Sequence, residues 1–150
     1  MISEKIILQR LERQCARAEY CTADIRRKAL KALEGDADAA ERVVASLLAD
    51  GYVDDRRYAG AYVREKSSIS GWGRVKISAM LRAKGIDRSV IDDALGEIES
   101  PKASARLSRL AAAKASSLQG DPAIRLKLLR FILSRGYTYE EAASAVQEVL

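Results

Sequence analysis

The feature that most restricts this chain is a segment that occurs twice. With Gly85 placed on Gly136, Arg74 falls on Arg125, Lys76 on Lys127, Ile77 on Leu128, Met80 on Phe131, Leu81 on Ile132 and Lys84 on Arg135. Each copy has apolar residues at helical spacing and closes on a glycine, the residue that most easily takes the left-handed backbone that ends a helix. Self-similarity of this kind marks a tandem repeat, whose units are too small to bury their apolar faces alone and must stack on one another. The first third fits less closely. Ile25 and Ala29 occupy the core places, but Leu33 stands where the glycine is expected and Glu34 to Ala37 are extra, so a different turn is predicted there.

Helical periodicity runs from end to end and β-branched alternation is nowhere sustained, which predicts an all-α fold. The expected architecture is three tandem three-helix repeats, helix-turn-helix-like, over residues 1–50, 51–100 and 101–150, stacked into an elongated, curved body. In the first, Ile7, Leu8, Leu11, Cys15 and Ala18 line one helix, Thr22 caps a second carrying Ile25, Ala29 and Leu33, and a third begins near Asp38 with Val43, Val44, Leu47 and Leu48 inward. Asp54 or Asp55 caps the next helix, with Tyr58, Tyr62 and Val63 inward up to Lys66. After a loop from Ser67, Gly73 is the N-cap of a helix built on Ile77, Met80 and Leu81, with Trp72 and Ile77 as a hydrophobic staple. Asp87 caps a helix through Val90, Ile91, Ala94, Leu95 and Ile98 that Ser100-Pro101 breaks. In the last third, Leu107, Leu110 and Leu118 mark one helix. Asp121-Pro122 reads as N-cap and first helical residue of the next, built on Ile124, Leu128, Phe131 and Ile132. Thr138 and Glu141 form a capping box before Ala142, Ala145, Val146 and Val149.

Composition removes whole classes of chemistry. The 150 residues include no histidine and two cysteines, so Ser-His and Cys-His nucleophiles, histidine-ligated metals and a structural zinc site are excluded. No phosphate-binding glycine loop is present. The expectation is a protein without catalytic activity and without cofactor. No apolar run is long enough for a membrane span and the first residues do not form a signal peptide, so a cytoplasmic monomer with reduced Cys15 and Cys21 is expected.

The modest net charge of +5 conceals sorting by helix. The second helices are basic: Arg26, Arg27, Lys28 and Lys31 against Asp24 in the first unit, Arg74, Lys76, Arg82 and Lys84 in the second, and Arg125, Lys127, Arg130 and Arg135 in the third. The third helices are acidic, with Asp36, Asp38, Glu41 and Asp50, then Asp87, Asp92, Asp93 and Glu97, then Glu140, Glu141 and Glu148. A row of basic helices is the electrostatic footprint of a partner rich in phosphate or carboxylate. In a DNA-reading helix-turn-helix the last helix enters the major groove, and acidic last helices would be repelled there. The candidate contact residues are Arg74, Lys76, Arg82, Lys84, Arg125, Lys127, Arg130 and Arg135, with Arg26, Arg27 and Lys31 from the first unit.

Several stretches carry a resemblance. Gly51-Tyr52-Val53-Asp54-Asp55-Arg56-Arg57-Tyr58-Ala59, Gly71-Trp72-Gly73-Arg74-Val75-Lys76-Ile77 with Leu81, Lys84-Gly85-Ile86 and Arg135-Gly136-Tyr137 are similar to the RecX family of bacterial regulatory proteins. The likeness covers nearly the whole chain and is most specific in the middle unit. It implies three three-helix repeats, no catalysis, and binding in the groove of a RecA recombinase filament on DNA. The effect implied is to modulate, most often to inhibit, its work in recombination, DNA repair and the SOS response. The residues alone leave a second reading open, an autonomous nucleic-acid-binding helical array that uses its basic face without strong sequence specificity.

Overall fold

The computed structural model describes residues 3–98 and 100–150. These form helices and connecting turns, with no strand among the described residues: α1 Glu4–Arg17, α2 Thr22–Ala32, α3 Ala37–Ala49, α4 Asp55–Ser68, α5 Arg74–Ala83, α6 Arg88–Leu95, α7 Ser100–Ser117, α8 Ile124–Ser134 and α9 Tyr139–Val149. The helices pack in threes around three cores. Ile7, Leu11, Ile25, Val43, Val44 and Leu47 fill the first. Ala59, Val63, Ile77, Leu81, Ile86 and Ile91 fill the second. Leu107, Ala111, Leu128, Ile132, Ala142 and Val146 fill the third. The solvent-accessible surface is 9123 Å², against about 7,500 Å² for a compact monomer of this mass. A serial stack with separate cores leaves that much more surface in water.

Local signals explain most helix ends. Ser3, Asp36 and Asp54 cap α1, α3 and α4 through their side chains, and both bonds of the Thr138–Glu141 capping box are made. The turn after α2 does differ from its counterparts, with Leu33 as C-cap and the left-handed backbone at Glu34 and Gly35. Other expectations need correction. Met80 is 41 % exposed and Leu48 43 %, because the buried stripes are narrower than the apolar patterns and end at Ile77 with Leu81 and at Val43, Val44 with Leu47. Ala18 is exposed in an extended C-cap. α4 continues through Ser67, whose hydroxyl donates to the Val63 carbonyl at 2.6 Å. α6 stops at Leu95, and Pro101 lies in the first turn of α7, where its missing N–H is no loss. Asp121 accepts from the Ala123 N–H at 2.8 Å in a turn, and α8 begins only at Ile124.

The cores are joined by a contact that repeats. At each joint the loop entering a second helix sits on the glycine turn of the next unit. In the first joint, Cys21 is fully buried in the second core and its Sγ lies 3.9 Å from the Lys84 carbonyl, while Ala23 faces Gly85. In the second joint, the Gly73 N–H donates to the Arg135 carbonyl at 2.8 Å, the Val75 N–H to the Gly136 carbonyl at 2.9 Å and the Tyr137 hydroxyl to the Gly71 carbonyl at 3.0 Å. Val53 crosses the other way and packs in the first core.

Thr22 does not cap α2. Cys21 holds that position without a side-chain bond, and the cap comes from the next unit: the Asp55 carboxylate accepts from the Thr22 N–H at 2.8 Å and from its hydroxyl at 3.0 Å. Arg57 braces the same joint, donating to Glu19 at 2.5 Å and to the carbonyls of Gly51 and Tyr52. Of the adjacent acids, Asp54 caps its own helix and Asp55 caps a neighbour's. Asp55→Ala is therefore expected to lower stability by about 1–2 kcal/mol, the cost of a lost cap with a half-buried donor left unpaired. Urea unfolding measures it, and an unchanged midpoint would refute the cross-unit cap.

Candidate partner-binding face

The basic second helices α2, α5 and α8 hold equivalent places in the three units. Their buried stripes are Ile25 with Ala29, Ile77 with Leu81, and Leu128 with Ile132. The cations alternate with these apolar residues and so project away from the cores.

Structure divides the sequence-derived cations into two groups. Arg26 is paired with Glu41 at 2.6 Å, Arg27 with Asp24, Lys84 with Asp24 at 3.1 Å, and Lys127 with Asp121 at 2.5 Å. Among the described residues, no carboxylate partner is recorded for Lys31, Arg74, Lys76, Arg82, Arg125, Arg130 or Arg135. Arg125 and Arg130 are exposed on α8, as are Lys31 on α2 and Arg82 on α5. Arg74 points elsewhere. It lines a cleft of about 240 Å³ together with Ser108, Glu141 and Glu148, so its field is partly met by the acidic side of the third unit.

Asp24 links two units. Burial raises the pKa of its carboxyl, but the hydrogen bond from Lys84, the thiol of Cys21 and the charges of Lys84 and Arg27 together outweigh burial and hold it below the ordinary carboxylate value. A depressed folded-state pKa contributes stability that is fully present above the unfolded value of about 3.9 and is lost as pH falls through the folded one. Asp24→Asn is thus expected to be less stable than the parent at neutral pH, with the gap closing on acidification below about pH 4. Melts from pH 7 to pH 2 check this; a gap independent of pH would show that the charge of Asp24 has no role.

Cations also lie over aromatic rings. The Lys76 Nζ is 4.3 Å and the Lys66 Nζ 4.9 Å from the Trp72 ring centre. Tyr62 meets Trp72 edge-on at 6.4 Å and stacks with Tyr58 at 5.9 Å. Lys114 and Arg135 lie over Phe131 at 4.9 and 5.0 Å, and Lys28 over Tyr20 at 5.1 Å. Lys76 and Arg135 belong to the charge pattern of the second helices, whereas Lys66 on α4 and Lys114 on α7 lie on first helices, outside it. The four-residue spacings Tyr62–Lys66, Trp72–Lys76 and Phe131–Arg135 are the sequence signal that marks these contacts. Lys28 on Tyr20 and Lys114 on Phe131 have no such signal.

Fold and surface together define a class: a stack of three-helix repeats with a basic second helix in each unit. Among the described residues no three His, Cys, Asp or Glu gather as a metal site, and no helix is long and apolar enough to cross a membrane. Comparison with known proteins narrows the class. The sequence profile of the second three-helix domain of RecX matches residues 54–95, the span of α4 to α6. Regulatory protein RecX of Clostridium tetani is 32 % identical over 114 residues, which cover 73 % of this chain and 52 % of that protein. Regulatory protein RecX of Mycobacterium marinum is 30 % identical over 112 residues, covering 73 % and 65 %. The chain thus spans about half to two thirds of the length of these relatives. The crystal structure of RecX from Lactobacillus salivarius superposes with a TM-score of 0.84 over 97 % of this chain and 96 % of that one; at 22 % identity the likeness is one of fold. The chain belongs to the RecX family of regulatory proteins.

Proposed function

We propose that this chain acts on the RecA recombinase filament, binding it through the basic second helices and restraining its activity in recombination, DNA repair and the SOS response, without catalysis of its own. The observation that carries this reading is the exposed set Arg82, Arg125 and Arg130, cations on equivalent helices of successive units with no carboxylate partner recorded among the described residues. Cations spaced along a repeat stack suit a partner that is itself a regular array with acidic or phosphate-bearing grooves. The test is ATP hydrolysis by purified RecA with and without single-stranded DNA. Addition of this protein is expected to lower hydrolysis only when filaments are present. Unchanged hydrolysis across a range of salt would overturn the proposal, and a rise would reverse its sign.

A further inference from the structure

The second joint is closed where backbone bonds tie Gly73 and Val75 to the turn at Gly136, and open elsewhere. α7, at 18 residues the longest of the described helices, starts well before its own core, whose first member is Leu107. Its first turns lie beside α4 and the end of α6, and three clefts follow one another along that seam. The first, of about 160 Å³, is lined by Arg64 and Ser68 of α4 and by Lys102 and Arg106 of α7. The second is a waist of about 30 Å³ between Trp72, Ile98, Ala103 and Tyr137. The third, of about 240 Å³, holds Arg74, Glu141 and Glu148 with Ser104, Ser108 and Ser144. Ile98 and Arg106 are common to the first two clefts, and Ala103 and Glu141 to the last two, so together they make one groove between the second and third units.

The two ends of the groove differ in charge. At the first, three cations face the single carboxylate of Glu97, which Arg64 approaches only to 3.5 Å. At the far end Glu141 and Glu148 outnumber Arg74, and no ion pair between Arg74 and either glutamate is recorded among the described residues. Glu148 accepts from the Ser108 hydroxyl at 3.4 Å, and one oxygen of Glu141 accepts from the Thr138 N–H at 2.9 Å. A carboxylate has about four acceptor sites, so both keep capacity for a further donor. From Lys102 to Ser108 the helix advances about 9 Å, close to the ~10 Å that separates residues three apart in an extended chain.

We propose that this groove receives an extended polypeptide segment of a partner protein, with an acidic side chain at the Arg64, Lys102 and Arg106 end, two small residues at the waist, and a basic side chain three positions away beside Glu141 and Glu148. The inference goes beyond the filament reading, because the groove is built chiefly from first and third helices and not from the exposed cations of the second. Charge complementarity selects the occupant. A phosphate chain would be repelled by Glu141 and Glu148 at one end. An apolar ligand would strip water from the charges at both ends and pair none of them. A peptide backbone brings donors and acceptors that the hydroxyls of Ser104, Ser108 and Ser144 can meet. Opposite charges at the two ends then fix which sequence is accepted.

Trp72 is the one tryptophan of the chain and lines the waist, so its fluorescence reports occupancy. The probe is the peptide acetyl-Glu-Ala-Ala-Lys-amide, added to the full chain at low salt without recombinase. Its titration is expected to change Trp72 emission and to saturate by about 10 mM, ten times the ~1 mM dissociation constant of a weak peptide complex. Acetyl-Glu-Ala-Ala-Glu-amide and acetyl-Lys-Ala-Ala-Lys-amide are each expected to bind at least about tenfold more weakly, because one end of the groove then meets its own sign. Glu148 is exposed and its recorded bonds are to the Ser108 hydroxyl, so Glu148→Lys should leave the fold intact as judged by circular dichroism. That variant is expected to prefer the Glu-Glu peptide over the Glu-Lys one. No change in emission with the Glu-Lys peptide, equal binding of all three peptides, or an unaltered preference in folded Glu148→Lys would each overturn the proposal. Because no RecA is present, these outcomes are independent of the filament reading.

Discussion

Gly136→Ala is expected to destabilise the protein by roughly 2–5 kcal/mol, whereas Gly85→Ala, at the equivalent turn, costs only about 1–2 kcal/mol. Both glycines are left-handed, with φ of 93° and 75°, so both alanine variants carry the backbone strain of that region. The difference lies in what the added methyl meets. At Gly85 the nearest atom is the Ala23 Cβ at 3.7 Å, an ordinary contact. At Gly136 a Cβ would fall 2.2 Å from the Lys76 Cβ and 2.7 Å from its backbone nitrogen, neither of which can move without shifting α5. Gly73 lies in the same contact, its missing Cβ being 2.5 Å from the Gly136 carbonyl oxygen. The methyl must push the two units apart, weakening the Gly73 and Val75 bonds across the joint. At about 2–4 °C per kcal/mol for a chain of this size, the thermal midpoint falls by roughly 10 °C for Gly136→Ala and a few degrees for Gly85→Ala. Equal shifts would mean that the joint contributes nothing beyond the turn.

Reversal of the exposed charge on α8 is expected to abolish most of the proposed filament binding while leaving the fold intact. Lys127 is the wrong residue to reverse, because it holds Asp121 at 2.5 Å and that carboxylate closes the turn before α8. Arg125→Glu/Arg130→Glu changes local charge on two exposed residues without a recorded ion pair, so circular dichroism and the melting curve should stay close to the parent. Replacing attraction by repulsion at an acidic or phosphate-bearing groove should weaken binding at least tenfold, about 1.4 kcal/mol. Co-sedimentation with RecA filaments across a salt series measures the loss. A folded double variant that sediments like the parent would remove α8 from the contact surface.

Much of this protein is legible in its sequence because helices and their ends are short-range objects. The three- and four-residue spacing of Ile77 and Leu81 or Leu128 and Ile132, the glycines at 85 and 136, and the Thr138–Glu141 pair each act within a turn or two, and each has its predicted local role in the structure. The basic second helices were visible for the same reason, since charge sorted by helix is a property of neighbouring residues. Tertiary structure decided how the units meet and which charges are spent inside the molecule. Nothing local to Asp55 says that it caps α2 through Thr22, 33 residues earlier, or that Lys84 reaches Asp24 across 60. Nor does the pattern around Gly136 reveal that Lys76 fills the space beside it. Met80 and Leu48 were misplaced for a related reason: periodicity places a residue near the apolar stripe, but only the angle at which neighbouring helices pack decides how wide the buried stripe becomes.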